Sequence, residues 1–166
     1  MVWIGRRLSA DELREVLEDP AKVDELLYGD LDDDEAEMPD PALDLDKSWH
    51  GIHYLLTGTP WEIGSDAAGA AILGGDEIGE DGGYGPARLL RPDAVRGIAA
   101  ALDGLSIEVL RARFDPQAMT AADIYPTIWA DGIDEFDSYL APHFTELRSF
   151  YRTAAAGGQA VLLAIT

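Results

Sequence analysis

The sequence predicts an α+β fold: a compact single domain with a mixed or antiparallel sheet and several packed helices. Three observations carry this expectation. Apolar runs able to form strands stand near both ends, Val2 to Leu8 and Gln159 to Ile165. Between them, most of the chain places apolar residues at helical spacing. The 166 residues suit one domain with one sizeable core, and no repeat or duplicated half is visible. Residues 1–166 are therefore read as a single domain whose sheet holds both ends of the chain.

After the first strand, Ser9 followed by Glu12 forms a capping-box signature for a helix reaching about Glu18, with Leu13, Val16 and Leu17 on its apolar side. Pro20 ends it, and Val23, Leu26 and Leu27 suggest a short second helix before Gly29. Asp30 to Pro41 is rich in carboxylates and carries two prolines, which reads as a solvated loop. Asp30, Asp32 and Asp34 alternate as in a calcium loop. Yet Glu35 stands where the sharp turn needs Gly, and Pro41 where a bidentate Glu is required, so no such site is expected.

Asp44 or Asp46 can cap the next helix, and Thr57 with Gly58 can end it. Trp49, Ile52, Leu55 and Leu56 supply its buried stripe, leaving Lys47, His50 and Tyr54 to more open faces. The chain through Ile63 is expected to cross an end of the domain, with Trp61 as a packing or rim residue. Gly69 to Ile72 reads as a short strand, GGDEIGEDGGYG as a broad loop and Pro86 to Leu90 as another strand. Pro92 suits the first turn of a helix to about Leu102. A further helix is expected over Ser106 to Arg113, a turn at Asp115 and Pro116, and an irregular stretch around Pro126. Phe136 to Ala156 reads as a long helix that Pro142 interrupts or starts, and Gly157 with Gly158 breaks it before the last strand.

Function is less legible. The sequence contains no cysteine, which removes disulfides, thiolate metal sites and thiol nucleophiles. No stretch approaches the roughly 18 to 20 apolar residues that span a bilayer, and no secretory leader is evident, so a soluble, cytoplasmic protein is expected. Thirty-two acidic side chains against 12 basic ones give a formal charge of −20. That charge repels phosphate backbones and anionic membranes and attracts basic partners. Nucleic acid and membrane are therefore not expected as partners.

His50 and His53 lie three residues apart and can approach each other on one helical side. With His143, or with Asp46 and another carboxylate, they could ligate zinc, but the sequence lacks HExxH or any defined third ligand. Structural roles are expected, with no metal and no cofactor. The glycine-rich segment around Tyr84 matches neither GxxxxGK[ST] nor a strand-associated GxGxxG cradle, and its carboxylates would oppose phosphate. Ser48 lacks a nucleophile-elbow context. Arg88 and Arg91 could bind an anion, though pairing with the chain's own carboxylates is the stronger expectation.

Three segments together resemble the YfbM-like family of bacterial proteins, domain of unknown function 1877: LDLDKSWHGIHYLLTG at 43–58, GYGPARLLRPDAV at 83–95 and DIYPTIW at 123–129. The resemblance implies a cytosolic α+β protein without an established activity. It marks Asp44, Asp46, Lys47, Trp49, His53, Thr57 and Gly58 as signature positions without giving any of them a catalytic role. A non-enzymatic binding or protein-interaction domain with an acidic surface is thus the leading expectation, its partner a basic protein. The alternative is a small-molecule enzyme or ligand-binding domain whose pocket draws on His50 or His53, Tyr54, Tyr84 and Arg88.

Overall fold

Strand β1, Trp3–Leu8, pairs antiparallel with β5, Ala160–Ile165, running in register from Trp3 opposite Ile165 to Leu8 opposite Ala160. These coordinates are a computed structural model that describes residues 1–29 and 42–166. The acidic loop expected over Asp30 to Pro41, and the calcium-loop comparison within it, fall outside the described residues. Strands β2 (Leu43–Asp44), β3 (Asp76–Asp81) and β4 (Pro86–Leu90) complete a five-stranded sheet in the order β2-β1-β5-β4-β3, antiparallel throughout.

Alternation along the strands divides the core in two. Ile4, Leu8, Leu89 and Leu162 face one side and meet Val16 of helix α1 (Ala10–Glu18) and Val23 and Leu27 of α2 (Lys22–Tyr28). Ser9 and Glu12 close α1 with the reciprocal capping bonds expected from the sequence. Trp3, Leu90, Val161 and Leu163 face the other side, where the remaining helices build a thicker layer. These are α3 (Trp49–Thr57), α4 (Ala70–Leu73), α5 (Pro92–Asp103), α6 (Ile107–Arg113), α7 (Pro116–Ala121), α8 (Ile133–Glu135) and α9 (Ala141–Ala156). A π-helical turn, Phe136–Leu140, joins α8 to α9, and Pro142 stands in the first turn of α9, where the regular helix starts as the sequence allowed.

Several expectations need correction. Gly69 to Ile72 is not a strand: a 3-10 turn, Ala67–Gly69, leads into α4, with the Asp66 carboxylate accepting from Ala68 N–H. Small alanines let this segment lie close to the core, and the Trp3 indole and Tyr151 hydroxyl bind the Ile72 and Ala71 carbonyls at 2.9 and 2.6 Å. The expected glycine-rich loop contains β3, which makes a hairpin with β4. Asp115 and Pro116 start a short helix rather than a simple turn, the Asp115 carboxylate accepting from Gln117 and Ala118 N–H, both at 3.0 Å.

Candidate functional site

Helix α3 is held by its neighbours on nearly every side. Trp49, Gly51, Ile52, Leu55 and Leu56 are buried, and a β-carbon at Gly51 would collide with the Trp129 ring, so glycine permits the close approach there. Gly58 ends the helix in the left-handed region at φ 75°. Neither Asp44 nor Asp46 caps its start, contrary to expectation. Ser48 precedes the first helical residue without a capping bond, while Asp44 Oδ1 accepts from Asp46 N–H at 2.7 Å.

Asp46 serves a tertiary role. Its backbone is left-handed, φ 48°, its carbonyl accepts from Trp3 N–H, and its Oδ2 accepts from the Tyr139 hydroxyl at 2.9 Å. Burial works against its charged form. The Tyr139 hydroxyl, the Lys47 main chain and the charges of Lys47 and His143 outweigh that effect and hold its carboxyl below the ordinary carboxylate value. Burial, then the Asp46 carboxylate, raises the Tyr139 phenol. His143 stands beside Tyr139, away from the pair on α3: its Nδ1 is 2.8 Å from the Tyr139 carbonyl. Among the described residues no three potential metal-ligating side chains converge.

His50, expected on an open face, is 1% exposed. Its Nδ1 accepts from Tyr125 N–H at 3.0 Å, which leaves the ring proton on Nε2 to donate to the Pro60 carbonyl at 2.9 Å. The ring stacks on Trp49 at a centroid distance of 4.9 Å and lies tilted against Trp61 at 4.4 Å. Burial lowers its pKa. The tertiary partners of His50 come from 10 and 75 residues away in sequence, so helical spacing within α3 could not announce them.

His53 is fully buried, and among the described residues neither ring nitrogen has a hydrogen-bond partner. Burial, then the neighbouring His50, pushes its pKa down to about 4, with the Glu62 main chain opposing too weakly to offset them. Trp49 Nε1, one helical turn away, is also buried without a partner among the described residues.

Over this face runs a strap, Thr59–Ile63, that also walls a cleft of about 290 Å³. Trp61 and Ile63 of the strap line it together with Tyr84 and Arg88 of the β3–β4 hairpin. Ile72, Leu163 and Ile165 add apolar lining. Trp61 and Tyr84 are 60% and 57% exposed. Asp81 shapes the hairpin turn that presents Tyr84, its Oδ1 accepting from Gly83 and Gly85 N–H at 2.7 and 2.9 Å. Arg88 is answered within the chain: it donates to Glu77 at 2.9 Å and to the Gly75 carbonyl at 3.2 Å. Arg91 lies 3.9 Å from Asp76.

The structure thus brings Tyr84 and Arg88 to one cleft and adds Trp61, which the sequence had read as a packing or rim residue. His53 does not line it. Tyr54 opens onto a separate depression beside Arg113. Lys47 is exposed near the Asp46 turn. The pocket expected to draw on His50 or His53 together with Tyr54, Tyr84 and Arg88 is therefore divided among a buried helix face and two surface hollows.

The profile of a family described as "Domain of unknown function (DUF1877)" matches residues 1–164. The chain belongs to the DUF1877 family. Among solved structures it is similar to YfbM from Escherichia coli, described as a protein of unknown function, with 22% identity, complete coverage of both chains and a TM-score of 0.73. That likeness concerns the fold. No curated protein matches the chain. In this DUF1877 domain the signature residues divide by place. Asp46 braces the turn before α3, Trp49 and His53 lie in its buried face, and Thr57 with Gly58 ends it, Thr57 Oγ1 donating to the His53 carbonyl at 2.9 Å. Among the described residues no helix is long and apolar enough to cross a membrane.

Proposed function

We propose that this domain is a non-enzymatic recognition module that engages a positively charged segment of a partner protein, with a lysine or arginine side chain anchored in the Trp61–Tyr84 cleft. The observation that carries the reading is that two exposed aromatic rings and apolar side chains line one cleft on a chain of high negative charge. A lysine stem is apolar and its ammonium is drawn both to aromatic faces and to carboxylates. Glu77 lines the cleft and pairs with Arg88, while Asp76, Glu80 and Asp81 are exposed on the same strand β3 and Glu62 follows Trp61 in the strap. Charge at this density speeds encounter with a basic partner, and the aromatic walls supply the contacts that fix where it docks.

Titration with octalysine at physiological salt tests this. Binding is expected to weaken about tenfold in Trp61→Ala and in Tyr84→Ala, as loss of a partly desolvated cation–π contact predicts. Octalysine binding that ignores both substitutions would reduce the attraction to diffuse charge and remove the cleft from the account. A second reading, a small-molecule site, draws support from the cleft volume, which sits at the lower bound of ordinary ligand pockets. It would rely on Tyr84 and Arg88 without His53.

A further inference from the structure

The buried side-chain polar atoms that lack a partner among the described residues are Trp49 Nε1, His53 Nδ1 and His53 Nε2. They lie one turn apart on α3, and the same strap covers them: Trp61 packs 6.2 Å from the Trp49 ring, and the Glu62 main chain stands against His53. A buried donor or acceptor left open keeps its full desolvation penalty, which disappears once water reaches it. The cover over this face is therefore less costly to lift than one resting on satisfied groups.

The strap is built to move as a piece. Thr59 Oγ1 donates to the Glu62 carbonyl at 3.0 Å and accepts from Glu62 N–H at 3.1 Å, bracing the segment internally. Gly58 and Gly64 flank it, both left-handed at φ 75° and 73°, with open space where a β-carbon would stand. At its start Thr59 N–H donates to Thr57 Oγ1 at 3.2 Å, across Gly58, and farther along His50 ties it to the body of the domain: Tyr125 N–H orients the ring, whose Nε2–H holds the Pro60 carbonyl.

We infer that Thr59–Ile63 is a hinged lid of the recognition cleft, turning at Gly58 and Gly64 and latched by the His50 side chain, so that the cleft is assembled only when the lid is down. The inference rests on reading the cleft as a recognition site. It makes His50 a positioning residue: it touches no ligand and sets the ring that does. Since Trp61 is a wall of the cleft, a bound cation would favour the closed form, and affinity would scale with the closed fraction.

The four tryptophans provide the test. Trp3 and Trp129 donate their indole N–H groups to the Ile72 and Ile124 carbonyls inside the core, whereas Trp49 Nε1 has no partner among the described residues and its ring packs against Trp61 of the strap. Indole hydrogen exchange on the full chain, followed by NMR across low denaturant concentrations, should show Trp49 exchanging through a local opening that denaturant hardly affects. Trp3 and Trp129 should exchange only with global unfolding. His50→Phe should speed Trp49 exchange about tenfold while the two core indoles stay within about twofold. Trp49 exchange as slow and as denaturant-dependent as that of Trp3 and Trp129 in the unaltered protein would overturn the lid, whatever the variant does. Octalysine should slow Trp49 exchange. Local opening that octalysine leaves unchanged would count against the recognition reading alone.

Discussion

The turn before helix α3 and the strap after it both place polar groups against the same helix, and they treat those groups differently. At the turn, the Asp46 amide, carbonyl and carboxylate each find a partner, reaching Asp44, Trp3 and Tyr139. Under the strap, His53 and the Trp49 indole find none among the described residues, while His50 between them is bonded at both nitrogens. The turn spends a left-handed backbone at Asp46 to lock the helix start. The strap leaves polar groups open, so its cover can lift. The difference separates a brace, where every bond adds to stability, from a moving part, where closure must be only marginally favoured.

The largest effect expected from this contrast is in acid. His53 titrates near 6.5 when unfolded and at about 4 when folded. Between those values the unfolded chain holds the extra proton, so stability falls as pH falls through that window and the loss levels off below about 4. The shift corresponds to about 3 kcal/mol. Denaturant midpoints of the unaltered protein and His53→Phe, compared from neutral pH to about pH 4, should diverge by that order, with the variant the less sensitive. Parallel profiles would mean that His53 is not held neutral and unanswered.

At the turn, Asp46→Ala should cost about 2 kcal/mol, combining a lost hydrogen bond with a left-handed backbone that alanine tolerates poorly. Tyr139→Phe should cost about 1 kcal/mol, and Asp46→Gly should resemble it, because glycine keeps the conformation while losing the bond. Equal losses in the alanine and glycine variants, measured by urea unfolding, would remove the backbone from the explanation. The smallest effect is expected under the strap at neutral pH, where His53→Phe should be neutral or stabilising by about 1 kcal/mol, since it deletes two unsatisfied nitrogens. A loss beyond that size would point to a partner for the imidazole and erase the contrast.

Much of the scaffold could be read from local chemistry. The Ser9–Glu12 box, Pro92 at the first turn of α5 and Gly58 after α3 are signals complete within a few residues, and each stands where its chemistry put it. The paired end strands could be read as well, because their apolar runs needed a shared sheet. What escaped depended on distant partners. The apolar stretch ending at Ile72 suits a strand or a helix alike at that length, and the Trp3 and Tyr151 bonds to its carbonyls lie far away in sequence. β3 carries four carboxylates and a glycine in six residues, and it is a strand because it pairs with β4 and lays Ile78 against the smaller core. The cleft combined both kinds of information: Tyr84 and Arg88 were visible as part of a motif, while Trp61 joined them only through the folded strap.

The position of β5 bears on how the domain is made. It lies between β1 and β4, yet it is the latest of the described elements to leave the ribosome. Until it arrives, β1 can pair only with the two residues of β2, and the β3–β4 hairpin has no neighbour on its inner side. Vectorial synthesis therefore cannot build this sheet strand by strand. A nascent chain must hold its two halves apart and unsealed, and the final strand closes both at once.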